Sequence, residues 1–147
     1  MPIVEYPFLK PVNRSRFRPM LHIRISNPTT GQSLDTIGLI DTGADTTAAP
    51  ASFASLIGHN LQAGQVKQVG TGNGISTAYA HTCTIEIFDT LEVIKNRQTI
   101  VFTLPETPVD FMPNLHTVLL GVDHFLSCFV LSLDYPKQVF SIRKTYL

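Results

Sequence analysis

The reading turns on one stretch, Leu39-Ile40-Asp41-Thr42-Gly43-Ala44-Asp45-Thr46. Leu39 and Ile40 end a run, Ser33–Ile40, that reads as a strand, and the chain then passes at once through a carboxylate, a hydroxyl and a glycine. The two aliphatic side chains belong in a core, so Asp41 stands where the strand leaves it and is partly desolvated. Thr42 supplies a hydroxyl donor, and Gly43 lets backbone approach closely. A carboxylate held in such a place suits the activation of water. Asp-Thr-Gly alone is a weak signal, because Asp-x-Gly also marks ordinary turns.

The flanking segments give a series of strands. Upstream, Leu21, Ile23 and Ile25 alternate with His22, Arg24 and Ser26, the period of a half-buried strand. Asn27-Pro28-Thr29-Thr30-Gly31 follows as a turn. Residues 1–20 are Pro-containing and basic and read as an extended arm with a short strand at Ile3–Tyr6, ahead of a domain over 21–147. Downstream, Pro50–Ile57 predicts a short helix stopped by Gly58. Val66–Ala80 predicts a long hairpin with Gly70-Thr71-Gly72-Asn73-Gly74 at its tip. Thr82–Phe88 and Gln98–Leu104 read as strands joined by a charged connection at Glu92–Arg97, and Pro105–Pro113 as a loop. Val118–Leu120 reads as a short buried strand and Val122–Leu126 as a helical turn. Cys128–Leu133 and Gln138–Ile142 form a terminal hairpin around Asp134-Tyr135-Pro136-Lys137. Roughly eight or nine strands with one or two short helices predict a mostly-β domain, a closed or partly closed barrel.

Composition narrows the function. The chain has 147 residues, 44% hydrophobic, enough for one domain with a core rather than a disordered chain. Its 11 basic and 11 acidic residues balance, so no overall field draws it to nucleic acid or an anionic membrane. The charge is uneven, though: Lys10, Arg14, Arg16, Arg18 and Arg24 face only Glu5 in the first 30 residues. A solvated extension is preferred there to a nucleic-acid arm, since no aromatic platform accompanies the arginines. Cys83 and Cys128 are too few for a disulfide framework, and neither they nor the five scattered histidines have metal-ligand spacing. No metal or cofactor is expected. The N-terminus lacks the apolar stretch of a signal peptide, and Val118–Leu133 is too interrupted to span a bilayer. A cytoplasmic protein with no membrane partner is the expectation.

Three features in order change the weight of Asp-Thr-Gly: the Leu39–Thr46 stretch, the Gly-rich hairpin tip, and Leu119-Leu120-Gly121 before a helical turn and strand. Together, from about Leu21 to Ile142, they resemble the retropepsins, the single-domain aspartic proteases of retroviruses and their cellular and bacterial relatives. The resemblance implies a retropepsin-like acid-protease β-barrel acting as a homodimer on peptide or protein substrates. It makes Asp41 the catalytic aspartate and Thr42 the hydroxyl tying two active-site loops together across the dimer. Gly43 becomes the glycine whose carbonyl meets substrate backbone. Ala44 and Asp45 line the cleft and bind peptide main chain, with Leu39 also on the substrate-binding side. Gly70, Thr71, Gly72, Asn73 and Gly74 form the flap over substrate, and Leu119 faces a specificity pocket.

Two departures from the family's pattern stand out, and the first favours the cellular and bacterial branch. Retroviral enzymes usually carry an Arg straight after the downstream glycine, paired to the second loop aspartate, whereas Val122 and Asp123 follow Gly121 here. Gly72 also stands at the tip where retroviral enzymes often carry an apolar residue. The chemistry needs two carboxylates sharing one proton, yet the chain holds one Asp-Thr-Gly. Asp110, Asp123 and Asp134 lack a following Thr/Ser-Gly, so the second carboxylate must come from another copy. Plainer readings stay open: Asp41 as a turn residue, Asp45 as a cap, and the Gly-rich tip as a simple hairpin. At the level of function, the alternatives are a catalytically silent retropepsin-fold module that binds peptides or dimerises, and an assembly element whose basic arm touches nucleic acid.

Overall fold

A computed structural model describes residues 2–11 and 15–145. Their strands, in chain order, are β1 (Ile3–Pro7), β2 (Met20–Ser26), β3 (Ser33–Ile40), β4 (Thr47–Pro50), β5 (Gln65–Thr71), β6 (Gly74–Phe88), β7 (Ile100–Met112), β8 (Val118–Leu120), β9 (Phe129–Asp134) and β10 (Val139–Lys144). Two short α-helices, α1 (Ser52–Leu56) and α2 (Thr90–Ile94), and 3-10 turns at Leu61–Ala63 and Leu126–Cys128 complete them. The larger sheet runs β2-β3-β8-β4-β7-β6-β5, and β2 also pairs with β6. That extra pairing closes the sheet into a barrel and leaves β5 projecting from it. A smaller sheet, β1-β10-β9, packs alongside.

The alternation read in β2 is what closes the barrel. Leu21, Ile23 and Ile25 are fully buried and the residues between them half-buried, with β3 antiparallel along the whole strand and β6 along Ile23–Ser26. The Asn27 turn holds as expected: its Oδ1 accepts the Thr29 N–H at 2.9 Å, and Gly31 adopts φ +75. Helix α1 ends before Gly58, whose φ of +79 stops it. The main core gathers Phe111, Phe125, Phe140 and the aliphatic side chains of β1, β2 and β6. A second, smaller cluster, Ala48, Ala78 and Met112 with Val69, Leu115 and Leu119, lies apart from it.

Several local expectations are corrected. Pro105–Pro113 is not a loop: β7 runs through Pro105 and Pro108 to Met112. Beside β7, β4 reaches only Val109–Met112, so that edge is free where the prolines lack N–H groups. The register also slips between Cys83 and Ile85, and Thr84 Oγ1 donates to the Pro105 carbonyl at 3.0 Å. The hairpin arm and the Thr82–Phe88 strand are one 15-residue strand, β6. The charged connection contains α2, capped by Asp89 Oδ1 accepting the Leu91 and Glu92 N–H groups at 2.9 and 3.4 Å. The turn after Gly121 becomes helical only at Leu126–Cys128, as 3-10.

The N-terminal segment is not simply a solvated extension. Ile3, Tyr6 and Phe8 are buried, and β1 pairs with β10. Phe8 donates its N–H to the Gln138 carbonyl at 2.9 Å, and Leu9 and Arg18 bridge each other. Arg14 lies outside the described residues. Among the described residues, no helix is long and apolar enough to cross a membrane.

Candidate active site

Parallel pairing of β3 with β8 places the Asp41 loop. Ile40 stands opposite Leu120, and the Asp41 N–H donates to the Leu120 carbonyl at 3.0 Å. The loop then folds on its own aspartate. Asp41 Oδ1 accepts the Gly43 N–H at 2.9 Å, and the Asp41 carbonyl accepts the Ala44 N–H at 3.2 Å. The segment after β8 holds the loop from the far side. Val122 donates to the Ala44 carbonyl at 2.9 Å and Asp123 to the Asp45 carbonyl at 2.7 Å. Gly121 donates its N–H to Thr47 Oγ1 at 3.1 Å, a buried bond. Asp41 is half-buried, whereas Thr42 and Gly43 are exposed.

The loop opens into a groove of about 710 Å³ shared by Asp41, Gly43, Ala44 and Asp45 with Gly70, Thr71 and Gly72 of the β5–β6 hairpin and with Leu119. The structure therefore brings most of the sequence-predicted residues to one place. Thr42 is exposed on the loop without lining the groove. Asn73 and Gly74 sit at the hairpin turn, outside the groove lining. Leu39 lines a separate cavity of about 410 Å³ with Met20, Ile37 and Phe53. Leu119 borders both spaces.

Sequence reasoning missed Lys67, Asp110, Met112 and Leu115, which share the groove. Asp110 is 3% exposed, and Lys67 Nζ lies 3.1 and 3.0 Å from its two oxygens. A lone acid within the apolar run Val109-Asp110-Phe111-Met112 was the available signal. The groove thus carries three carboxylates, Asp41, Asp45 and Asp110, and one ammonium, Lys67. Among the described residues, no three His, Cys, Asp or Glu side chains gather as a metal site.

The site is thus a half-buried carboxylate pinned by its own loop, in a groove lined also by the β5–β6 hairpin. No protein-family description matches the chain, and no curated protein matches it in sequence. Among solved structures, it is similar to a retropepsin-like aspartic protease from Rickettsia conorii, with TM-score 0.61 over 95% of this chain and 90% of that one, at 17% identity. The fold is retropepsin-like. A more distant likeness is to the EIAV protease complexed with the inhibitor HBY-793, with TM-score 0.40, 19% identity, and 77% and 88% of the two chains covered.

Within this retropepsin-like fold, the loop is held mainly by backbone. Val122 stands where an arginine was the expected partner of Asp45, and the contact there is instead the Asp123 N–H on the Asp45 carbonyl. The Asp45 carboxylate is left exposed along the groove.

Proposed function

We propose that the chain is an aspartic endopeptidase whose active site is completed by a second copy, so that two Asp41 carboxylates face each other on a two-fold axis. The observation that carries this reading is Asp41 itself, fixed by its loop in a groove that the β5–β6 hairpin also lines. The retropepsin-like fold supports it.

In this mechanism the pair holds one proton. The ionised Asp41 removes a proton from water, whose oxygen attacks the scissile carbonyl carbon. The protonated Asp41 hydrogen-bonds the carbonyl oxygen as it gains negative charge. Collapse of the tetrahedral species expels the amine, which takes up the proton carried by the first carboxylate. Water is consumed and each fragment leaves with a new terminus. Thr42, exposed beside Asp41, is placed in this reading to donate its hydroxyl to the partner copy's loop. The β5–β6 hairpin acts as the flap, and an extended peptide pairs its backbone with the flap and cleft strands.

The test incubates purified protein with a diverse peptide library from about pH 4 to 7.5, beside Asp41→Asn, with products read by mass spectrometry and oligomeric state by sedimentation. Cleavage by the wild type alone is the expected result. A dimeric sample that cuts nothing would replace this reading with a silent peptide-binding module.

A further inference from the structure

The Lys67–Asp110 pair stands in the groove but outside the loop that carries Asp41, and the mechanism above makes no use of it. Register explains how it forms. Leu119, Ala48, Asp110 and Ala80 lie in one row across β8, β4, β7 and β6. Lys67 on β5 is the partner of Ala78 on β6. The lysine stem therefore crosses β6 past a fully buried alanine to reach the row beyond, where Nζ meets both Asp110 oxygens at 3.1 and 3.0 Å. A bulkier residue at 78 would stand in its way.

Such a pair is a poor way to hold strands together. Taking Asp110 out of water is costly, and apolar pairs of similar volume commonly serve as well or better. Its chemistry is better suited to what enters the groove. An ammonium carries three N–H groups, of which Asp110 occupies two, and each carboxylate oxygen has lone pairs beyond the one bonded to Lys67. The pair is therefore neutral overall and presents a donor beside an acceptor. Next to it lies an apolar wall of Ala48, Val69, Met112, Leu115 and Leu119. Asp41 and Asp45 already make the rest of the groove acidic, which disfavours another carboxylate there.

The geometry points to Lys67 and Asp110 as the specificity-determining pair of a side-chain subsite that reads a carboxamide, with glutamine as the preferred substrate residue. The methylenes of glutamine lie on the apolar wall, its amide oxygen accepts from Lys67 Nζ, and its NH₂ donates to Asp110. Leucine fills the wall but leaves both polar groups unmatched. This inference rests on the groove binding peptides, and as a statement about cleavage it rests on the proposed endopeptidase activity.

The test uses the full chain and peptide sets carrying Gln, Glu, Lys or Leu at each position in turn. Three variants accompany the wild type: Lys67→Met/Asp110→Leu, Lys67→Arg and Lys67→Met, each checked for folding by circular dichroism. At one position, wild type should cut Gln peptides about tenfold or more faster than Leu peptides in kcat/KM, the scale of one matched polar contact. The double variant should reverse that order, Lys67→Arg should keep it, and Lys67→Met should move it toward Lys, because Asp110 is then alone. If the double variant does not fold, the single variants carry the test. Cleavage with no Gln preference in wild type, or a preference that survives in the double variant or in Lys67→Met, overturns the subsite and leaves the endopeptidase reading standing. If nothing is cut, retention of the same peptides on immobilised protein separates the two ideas. Gln-selective retention lost in the double variant keeps the subsite while the endopeptidase reading falls, and no Gln-selective retention overturns the subsite.

Discussion

Gly121 and Thr46 are in backbone contact: a methyl group at Gly121 would stand 2.5 Å from the Thr46 carbonyl carbon and 2.7 Å from its oxygen. The same approach lets the Gly121 N–H reach Thr47 Oγ1 and brings Val122 against the Ala44 carbonyl. The glycine is thus what allows β8 to lie behind the Asp41 loop. Gly121→Ala should cost about 3 kcal/mol, since backbone rather than a flexible side chain has to move. Denaturant unfolding measures it, and a change below about 0.5 kcal/mol would contradict the packing described.

The β1 segment is part of the core. Phe8 is 4% exposed, with its ring 5.3 Å from that of Tyr135 and 6.3 Å from that of Phe140. Phe8→Ala should destabilise the protein by about 3–5 kcal/mol. Removal of residues 1–9 should be worse, because it also uncovers Phe140 and Ile142 of β10. A truncated chain that melted like the full one would refute this.

Two histidines should make the fold acid-sensitive. Burial holds His22 below its ordinary pKa of 6.5. Burial, then the His81 ring 4.5 Å away, does the same to His59, against a hydrogen bond to the Thr82 carbonyl. Around His59 lie also the Asn27 amide and the Cys83 thiol. In the unfolded chain both imidazoles take up protons first, so the unfolded state binds more protons below about pH 6.5. Their contribution to stability is full above that pH and is lost as pH falls toward the lowered folded values. Tm should therefore drop between pH 7.5 and 5, and His59→Asn should show a shallower drop. An unchanged slope in that variant would remove His59 from the account.

The two thiols should behave differently. Cys83 is fully buried, and burial pushes its pKa up to about 12, while Cys128 is exposed. Only the thiolate reacts. Native protein should titrate one thiol quickly with a disulfide reagent and the second only after denaturation. Two fast equivalents would show that the barrel opens around β6 far more readily than its packing implies.

Much of the candidate site was legible because its signals are local. Ser33–Ile40 forms β3 with the bounds its sequence suggests, and the Asp41 loop follows directly. The alternation of Leu21, Ile23 and Ile25 depends on period alone, and the hairpin tip on its glycines. What misled was also local. Pro105 and Pro108 read as loop, yet both lie within β7, on a stretch that β4 does not reach. The basic residues of the first twenty suggested a solvated arm, whereas Ile3, Tyr6 and Phe8 are buried because β10 passes beside them.

By itself the sequence determined the mostly-β character, the carboxylate loop at the end of β3 and the glycines around it. Period, turn chemistry and conformational freedom act over a few residues and need no partner. Closure of the barrel, by contrast, puts Leu39 in a separate cavity while Leu119 borders the groove. It alone placed Gly121 against Thr46, far apart in the chain, and joined Lys67 to Asp110 across 43 residues. Those relationships arise when the barrel closes, because strand register, set by the buried face of every strand at once, determines which distant side chains share a row.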